Sequence, residues 1–221
     1  MLFRPRIIEL VGIAGAGKST LRQALRQHNE KIQIASTPNK IAYVPTFLKI
    51  AFIWFPHYLR KYRDTRWFNS QEIRLICYLE TFLSHIRSQN MKNDGISILD
   101  PGSVCWLAAL QEFGPALMKY PIFQQWWVRK QDEWFSALDV IIWLEVPRDL
   151  SLQRIQTREQ YHIRKFQSPE IALDSLERMH LWYEKLVFAA NQHKNIKIFH
   201  YDTSNISTEK IVDELFSTMD I

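Results

Sequence analysis

Five short apolar runs along the chain are typical of buried β-strands. The first is "RIIELV" (Arg6–Val11), which is continuously apolar and contains β-branched residues, as in a strand that is covered on both faces. The other runs span Lys31–Ala35, Ile96–Asp100, Asp139–Pro147 and Ile196–Asp202. The pattern therefore predicts five strands, distributed over nearly the whole chain.

Apolar residues at helical spacing occupy the segments between these runs. Helices are predicted after the first strand and over about Ser70–Met91, Ile122–Ala137, Pro169–Asn191 and Thr208–Met219, the last with Ser207 or Thr208 as its N-cap. Strands that alternate with helices indicate a parallel sheet with right-handed crossovers. The expected fold is α/β, with three layers and a five-stranded parallel sheet. No linker rich in Pro, Gly or Ser divides it, so we expect residues 1–221 to form a single domain.

Composition narrows the class of protein only modestly. The 221 residues are 47% hydrophobic and 23% charged, as in ordinary globular proteins, and the formal charge of +5 suits nucleic acid, anionic lipid or phosphorylated ligands equally. The two cysteines, Cys77 and Cys105, favour a reducing compartment over a disulfide framework. The apolar stretch Ile41–Phe55 contains Pro45 and Lys49 and is too short to span a bilayer. We expect a cytoplasmic protein.

Glycine is concentrated directly after the first strand. The chain has 6 glycines, and three of them lie within "GIAGAGKST", which contains Gly12-x-x-x-x-Gly17-Lys18-Ser19. A strand before this pattern and a helix after it are the context of a P-loop, whose backbone N–H groups surround a polyphosphate. Lys18 supplies a charge for the β- and γ-phosphate oxygens, and the Ser19 hydroxyl is the expected Mg²⁺ ligand. The sequence thus predicts that Mg²⁺ and ATP, or another nucleoside triphosphate, bind at Gly12, Ala14, Gly15, Ala16, Gly17, Lys18, Ser19 and Thr20.

A second acidic residue is expected at the tip of a neighbouring strand. Asp100 ends the third predicted strand and is followed by Pro101-Gly102. At this position a carboxylate can hold Mg²⁺ or meet the acceptor of a phosphoryl group. The alternative is that Asp100 only stabilises a turn, since Asp-Pro-Gly is favourable turn chemistry.

A basic segment follows the fourth strand. "VPRDLSLQRIQTREQYHIRK" contains five basic residues, Arg148, Arg154, Arg158, Arg164 and Lys165. Arg154 and Arg158 are four residues apart and share one face of a helix. Residues 148–168 are interpreted as a lid in which these two arginines stabilise the charge on a transferred phosphoryl group. A solvated basic helix is the alternative.

The order of these parts resembles the thymidylate kinase and deoxynucleoside kinase branch of nucleotide kinases. The resemblance rests on the P-loop, the strand ending in Asp100, "LEVPRDLSLQRIQTRE", "LERMHLWYEKL" and "IKIFHYDTSNISTEKIVDEL", and it covers nearly the whole chain. It implies a five-stranded parallel sheet, Mg·ATP as donor and a basic lid around Arg154–Lys165. It also implies an adenine pocket built partly by Asp202–Asn205, so that Thr203 joins the expected nucleotide contacts.

The sequence departs from that branch on the acceptor side, in the helical region 40–92. Pro101 follows Asp100 where those kinases have an arginine, and "ASTPNK" after the second strand has no carboxylate. In the helix before the third strand, Arg74 and Glu80 are present without a firm match to the arginine that would bind an acceptor phosphate. The acceptor, whether nucleoside, nucleotide or sugar, therefore stays open.

The segment Phe47–Phe68 interleaves aromatic and basic residues. Its aromatic side chains can belong to the core of a helical hairpin, they can line a pocket for a large acceptor, or they can contact a membrane surface or single-stranded nucleic acid. Trp126, Trp127 and Trp134 are predicted to be core residues.

Two functions from different classes remain. The first is a small-molecule kinase that uses Lys18, Asp100, Arg154 and Arg158 for catalysis, with Ser19 and Asp100 at the metal. The second is a nucleotide-dependent regulatory module that has lost efficient transfer. A homodimer is compatible with both, and nothing in the sequence points firmly to nucleic acid.

Overall fold

The computed structural model of the chain describes residues 6–93, 95–158 and 163–219. Five strands form one parallel sheet in the order β2-β3-β1-β4-β5. They are β1 (Ile7–Val11), β2 (Ile32–Ile34), β3 (Ile96–Leu99), β4 (Val140–Glu145) and β5 (Lys197–Asp202). Helices flank this sheet, so the predicted α/β fold with a five-stranded parallel sheet is confirmed.

Nine α-helices are present in the described part of the chain. They are α1 (Lys18–His28), α2 (Val44–Lys49), α3 (Phe55–Lys61), α4 (Ser70–Asn93), α5 (Ser103–Phe113), α6 (Pro121–Phe135), α7 (Arg148–Thr157), α8 (Pro169–Ala190) and α9 (Thr208–Thr218). A π-helix, Ile50–Trp54, joins α2 to α3, and 3₁₀ helices span Lys40–Tyr43, Ala116–Lys119 and Ile163–Phe166. Ser207 caps α9 as predicted, since its side chain accepts a hydrogen bond from the Lys210 N–H at 3.3 Å.

The centre of the sheet is β1, which pairs with β3 on one side and β4 on the other. Ile8 lies opposite Ile98 in β3 and Val140 in β4, and all five residues of β1 are buried. Because every strand pair is parallel, the carboxyl ends of the five strands lie at one edge of the sheet. The P-loop, Asp100, α7 and the segment after β5 all follow these carboxyl ends, which is where ligands of open α/β sheets bind.

The helix α5 was not expected from the sequence. It begins three residues after Asp100, and its packing explains why the hydrophobic pattern does not reveal it. It contacts β1, α4, α6 and α8. A helix enclosed in this way is apolar over most of its surface, so "SVCWLAALQEF" has little amphipathic contrast.

Aromatic residues fill the space between the helices on the acceptor side. The ring of Trp54 contacts those of Phe68, Phe123 and Trp126, with centroids 5.2 Å apart for the Phe123 pair. Trp126, Trp127 and Trp134 are buried, as predicted. In the segment 47–68, the inward side chains therefore belong to the core. No helix within the described ranges is long and apolar enough to cross a membrane.

Candidate functional site

The glycine-rich turn after β1 lies tightly against β4 and α7. Gly15 has a φ of +85°, and a Cβ on this residue would approach the Ser151 carbonyl oxygen to 2.7 Å. A Cβ on Gly12 would lie 2.3 Å from the Leu144 carbonyl oxygen. Any larger residue would push the loop away from its neighbours, so glycine is required here by both conformation and space.

The remaining loop residues are held by hydrogen bonds within the loop and to α7. Ala16 is buried and its N–H donates to the Ile13 carbonyl at 3.2 Å, whereas the Ser151 hydroxyl donates to the Ala14 carbonyl. Gly17 has a φ of +89° with open space in front of it. Gly17 therefore leaves open space at the amino end of α1, where the helix dipole favours an anion.

Lys18 begins α1 and folds back over the loop. Its ammonium group donates hydrogen bonds to the Gly12 carbonyl at 2.5 Å and to the Ile13 carbonyl at 2.9 Å. These bonds hold the charge against the backbone of the loop. Ser19 and Thr20, in the first turn of the same helix, are exposed to solvent.

Several charges converge on Lys18. Burial lowers the pKa of its ammonium group, Asp100 acts in the opposite direction, and the positive charges of Arg158 and Arg164 lower it further. Arg158 and Arg164 therefore lie close enough to the P-loop lysine for their charges to act on it. Arg164 also donates to the Ser175 hydroxyl at 3.0 Å, and it was not among the predicted catalytic residues. Residues 159–162 of the predicted lid lie outside the described residues.

Arg154 joins the P-loop to the segment after β5. One guanidinium nitrogen lies 3.2 Å from the Gly15 carbonyl and 3.1 Å from the Thr203 hydroxyl, and the other donates to the Thr203 carbonyl at 2.9 Å. Thr203 is held in turn by the Glu145 carbonyl at the end of β4. Arg154, Arg158, Thr203, Gly17 and Thr20 all line one cavity of about 320 Å³. The structure thus brings the predicted P-loop, lid and β5 residues together.

Asp100 forms an ion pair that the sequence did not predict. Its carboxylate lies 3.1 Å from a guanidinium nitrogen of Arg22, and the same nitrogen is 3.3 Å from the Asp100 carbonyl. The Asp100 side chain is 7% exposed. Arg22 lies one turn beyond Lys18 on α1, so the pair fixes the tip of β3 against the P-loop helix.

A second, larger cavity opens beside Asp100. It has a volume of about 750 Å³ and lies between the segment after β2, α4 and the beginning of α5. Aromatic side chains of Tyr43, Tyr78, Phe82 and Trp106 line it. Among its described lining residues, Asp100 is the sole carboxylate and Arg74 the sole cation.

The interpretation of Phe47–Phe68 as the wall of an acceptor pocket is not supported. Within the described residues, this cavity is lined by parts of 35–43, 70–82 and 99–106, and no residue of 47–68 takes part. Glu80, considered for the acceptor site, instead lies 3.0 Å from Lys49 and 2.9 Å from Lys130 and accepts a hydrogen bond from Trp126. Arg74 does line the cavity.

Glu9 is a buried acid beneath the turn that carries Asp100. It is inaccessible to solvent and accepts hydrogen bonds from the Ser103 hydroxyl at 2.6 Å and the Val104 N–H at 2.7 Å. Burial raises its pKa to about 7, although the hydrogen bonds from Ser103 and Val104 act in the opposite direction. A Cβ on Gly102 would lie 2.3 Å from the Glu9 carboxyl carbon, so the close approach requires glycine. Glu9 thereby positions the turn between β3 and α5.

Replacing Glu9 by glutamine is expected to change how stability depends on pH. A carboxyl group with a pKa near 4.5 unfolded and about 7 folded binds its proton more tightly in the native state. Its contribution to stability is therefore full below pH 4.5 and is lost as the pH rises through 7. Between pH 5 and 8, the free energy of unfolding of the parent chain should fall by about 2–3 kcal/mol relative to Glu9→Gln.

Urea unfolding at several pH values measures this difference. The exposed Glu30→Gln variant is the matched control, and its stability should follow the parent's pH dependence. If the free energy of unfolding changed with pH in the same way for the parent and Glu9→Gln, Glu9 would be ionised in both the folded and the unfolded state.

The residues that sequence reasoning missed are Glu9 and Arg22, whereas Arg164 was expected in the lid but not as a catalytic residue. Glu9 lies within an apolar strand, and a charged residue at such a position was the one available sign of a special role. Arg22 and Asp100 are 78 residues apart in the chain, and nothing in the pattern joins them. Within the described ranges, no group of three or more His, Cys, Asp or Glu residues could hold a metal ion by itself.

Comparison with known proteins identifies structural relatives. No protein-family model matches the chain, and no curated protein matches it. Deoxyadenosine kinase from M. mycoides with bound dATP superposes with a TM-score of 0.58 at 14% identity, over 97% of this chain and 100% of that one. The same enzyme with bound dCTP gives 0.55 at 18% identity, over 96% and 99%. With the products dCMP and dCDP it gives 0.53 at 15% identity, over 96% and 97%. The chain therefore shares the fold of these structures over nearly its full length.

Proposed function

We propose that the protein is an ATP-dependent phosphotransferase acting on a small-molecule acceptor. One observation carries the proposal: Lys18 is under the influence of Asp100, which lines the cavity of about 750 Å³, and of Arg158, which lines the cavity of about 320 Å³. Transfer between two bound molecules needs two sites that are linked by such charged groups.

The smaller cavity is assigned to the nucleoside triphosphate. The open face before Gly17 and the positive end of α1 fit a polyphosphate. Lys18 would exchange its bonds to the loop carbonyls for phosphate oxygens, and Arg154 and Thr203 would hold the nucleoside end. Ser19 and Asp100 would hold Mg²⁺, directly or through water. Mg·ATP, when bound, supplies the phosphoryl group.

The larger cavity is assigned to the acceptor. Four aromatic residues suit a planar ring, and the M. mycoides kinase structures contain deoxynucleotides, which makes nucleosides and nucleotides the first candidates. A hydroxyl acceptor benefits from a carboxylate base, but the carboxylate here is already paired with Arg22. A phosphate monoester is ionised before it binds and needs a cation instead. Arg74 provides one, so we favour a nucleoside monophosphate.

Replacing Arg74 by leucine is expected to raise the KM for a phosphorylated acceptor about 10- to 100-fold, because charge-assisted hydrogen bonds to its phosphate are lost. The kcat and the KM for ATP should change little. Steady-state kinetics of ADP release measures all three constants. Arg87→Leu, on an exposed position of the same helix, is the matched control. An equal rise in KM for both variants would contradict the assignment of Arg74.

The proposed activity is tested by ADP release with a panel of nucleosides, deoxynucleosides, their monophosphates and simple sugars. We expect at least one monophosphate to raise turnover well above the slow hydrolysis measured with ATP and Mg²⁺ alone. If no member of the panel does so, the phosphotransferase proposal fails for these acceptor classes.

A regulatory module that binds nucleotide without efficient transfer is the second candidate. The Asp100–Arg22 ion pair favours this candidate, because it engages the carboxylate that would otherwise serve the transfer reaction. Calorimetry and the acceptor panel separate the two functions. Tight binding of Mg·ATP with no acceptor-stimulated turnover would support the module and contradict the kinase.

A further inference from the structure

The outer side of the helical segment 41–59 is covered by large apolar residues. They are Ile41, Val44, Phe47, Leu48, Phe52, Ile53, Phe55 and Leu59, and we call this surface the apolar face. Ile41 is 74% exposed and Phe52 is 75% exposed. Every exposed residue from 41 to 59 is one of these eight, an alanine or a proline. A contiguous apolar surface of this kind is unusual on a soluble domain and indicates an interaction site.

The opposite side of the same segment explains why the apolar face is not simply part of the core. Thr46, Ile50 and Trp54 point inward and are buried, and Trp54 packs edge-on against Phe123 and Trp126. The wider turn of the π-helix Ile50–Trp54 keeps these inward residues on one side. Of the apolar face, Phe55 still contacts the rings of Tyr58 and Trp67. Phe52 and Ile53, in contrast, are more than half exposed, so the core is closed by the inward residues and not by the apolar face.

Positive charge accompanies the apolar face. From residue 41 to residue 63 the chain contains no Asp or Glu, and Asp64 is the sole acid up to residue 71. Arg60, Lys61 and Arg63 follow the last turn of the face, are exposed and form no ion pair with other described residues. By contrast, Lys49 lies 3.0 Å from Glu80, which neutralises its charge.

We propose that the apolar face, together with Arg60, Lys61 and Arg63, docks the protein on an anionic lipid bilayer. The apolar side chains enter the boundary between headgroups and acyl chains, while the three cations contact lipid phosphates. Charge complementarity selects this occupant. Lipid phosphates neutralise these cations, whereas the same face of a second copy offers them no carboxylate, since residues 41–63 contain no Asp or Glu.

Single-stranded nucleic acid fits the surface less well. Nucleic-acid grooves alternate cations with aromatic rings on which bases stack. Here the three cations lie at one end of the segment, and five of the eight side chains are aliphatic. A broad aliphatic surface with cations at its border, in contrast, is suited to binding a lipid bilayer.

The docking surface borders the larger cavity. Tyr43 lies in the same helical segment and lines that cavity, so a docked chain would hold its rim beside the lipid headgroups. The proposal does not rest on the phosphotransferase activity, and its test measures binding alone.

The test is co-sedimentation of the full chain with vesicles of phosphatidylcholine, with and without phosphatidylglycerol. We expect binding to the anionic vesicles, weak binding to pure phosphatidylcholine, and release by high salt. Replacing the three cations together, as Arg60→Gln, Lys61→Gln and Arg63→Gln, should lower the partition coefficient about a hundredfold. Phe52→Ser with Ile53→Ser should also abolish most of the binding, and since both side chains are exposed, these variants should fold normally.

Two control variants change the same residue types elsewhere. Ile171→Ser with Phe188→Ser removes exposed apolar residues, and Lys31→Gln with Lys194→Gln and Lys210→Gln removes exposed cations. Both should bind the anionic vesicles like the parent. No binding by the parent, or equal losses in test and control variants, would overturn the proposal. So would lipid-free light scattering in which Phe52→Ser with Ile53→Ser converts a dimer to a monomer while vesicle binding is absent.

Discussion

Lys18→Ala is expected to lower acceptor-stimulated ADP release about a thousandfold. The ammonium group lies over the P-loop, 2.5 Å and 2.9 Å from two of its carbonyl oxygens, where it would meet the β- and γ-phosphates. Alanine removes the one side-chain charge of the loop itself. The binding of Mg·ATP should weaken at the same time, because part of the phosphate charge loses its counter-ion.

The measurement combines ADP release with calorimetry of Mg·ATP binding. Lys31→Ala, an exposed lysine just before β2, should leave both unchanged. Burial of the Lys18 ammonium group lowers its pKa and so opposes its charged form in the native state. The free energy of unfolding of Lys18→Ala should therefore not fall, which separates a lost site from a lost fold. Unchanged affinity and turnover in Lys18→Ala would contradict both proposed functions.

The strands and the P-loop could be predicted because their signals are local. The buried strand β1 appears in the sequence as an apolar run that only Glu9 interrupts, since parallel strands are covered on both faces. The loop after it needs residues without a side chain at defined positions, so Gly12 and Gly15 mark it directly. Fold class and the position proposed for the nucleotide follow from these two signals.

The acceptor side could not be predicted in the same way, because its geometry depends on contacts between distant segments. The helix α5 is enclosed by other elements and has no amphipathic period. Glu9 is satisfied by the N-terminal turn of that helix, 94 and 95 residues away in sequence, and its position cannot be inferred before the helix is known. The π-helix Ile50–Trp54 has a wider turn than an α-helix. The 3.6-residue period of an α-helix therefore does not predict which side of 41–59 faces outward.

The ion pair between Asp100 and Arg22 gives Asp100 a definite position that its sequence context leaves open. As a residue of an Asp-Pro-Gly turn, Asp100 could be purely structural. In the folded chain its carboxylate also acts on Lys18 and lines the larger cavity, so it lies between the assigned nucleotide and acceptor sites. Arg22 acts through Asp100 as a positioning residue. A structural role and a catalytic role of Asp100 lead to different kinetic results.

Asp100→Asn is expected to lower kcat about 10²- to 10⁴-fold and to raise the Mg²⁺ concentration needed for half-maximal activity. Asparagine keeps the turn but loses the charge. Arg22→Gln should lower kcat about tenfold in the parent and have almost no further effect in the Asp100→Asn background, because the two residues act as one unit. Arg26→Gln, an exposed arginine one turn further along α1, is the matched control.

A double-mutant cycle measured across a Mg²⁺ titration decides between the roles. If Asp100 is catalytic, its substitution moves kcat and the Mg²⁺ dependence together while the KM for the acceptor changes little. A kcat within twofold of the parent, with reduced stability, would instead make Asp100 a turn residue. The metal would then depend on Ser19 and the phosphates, which are the other ligands assigned to it.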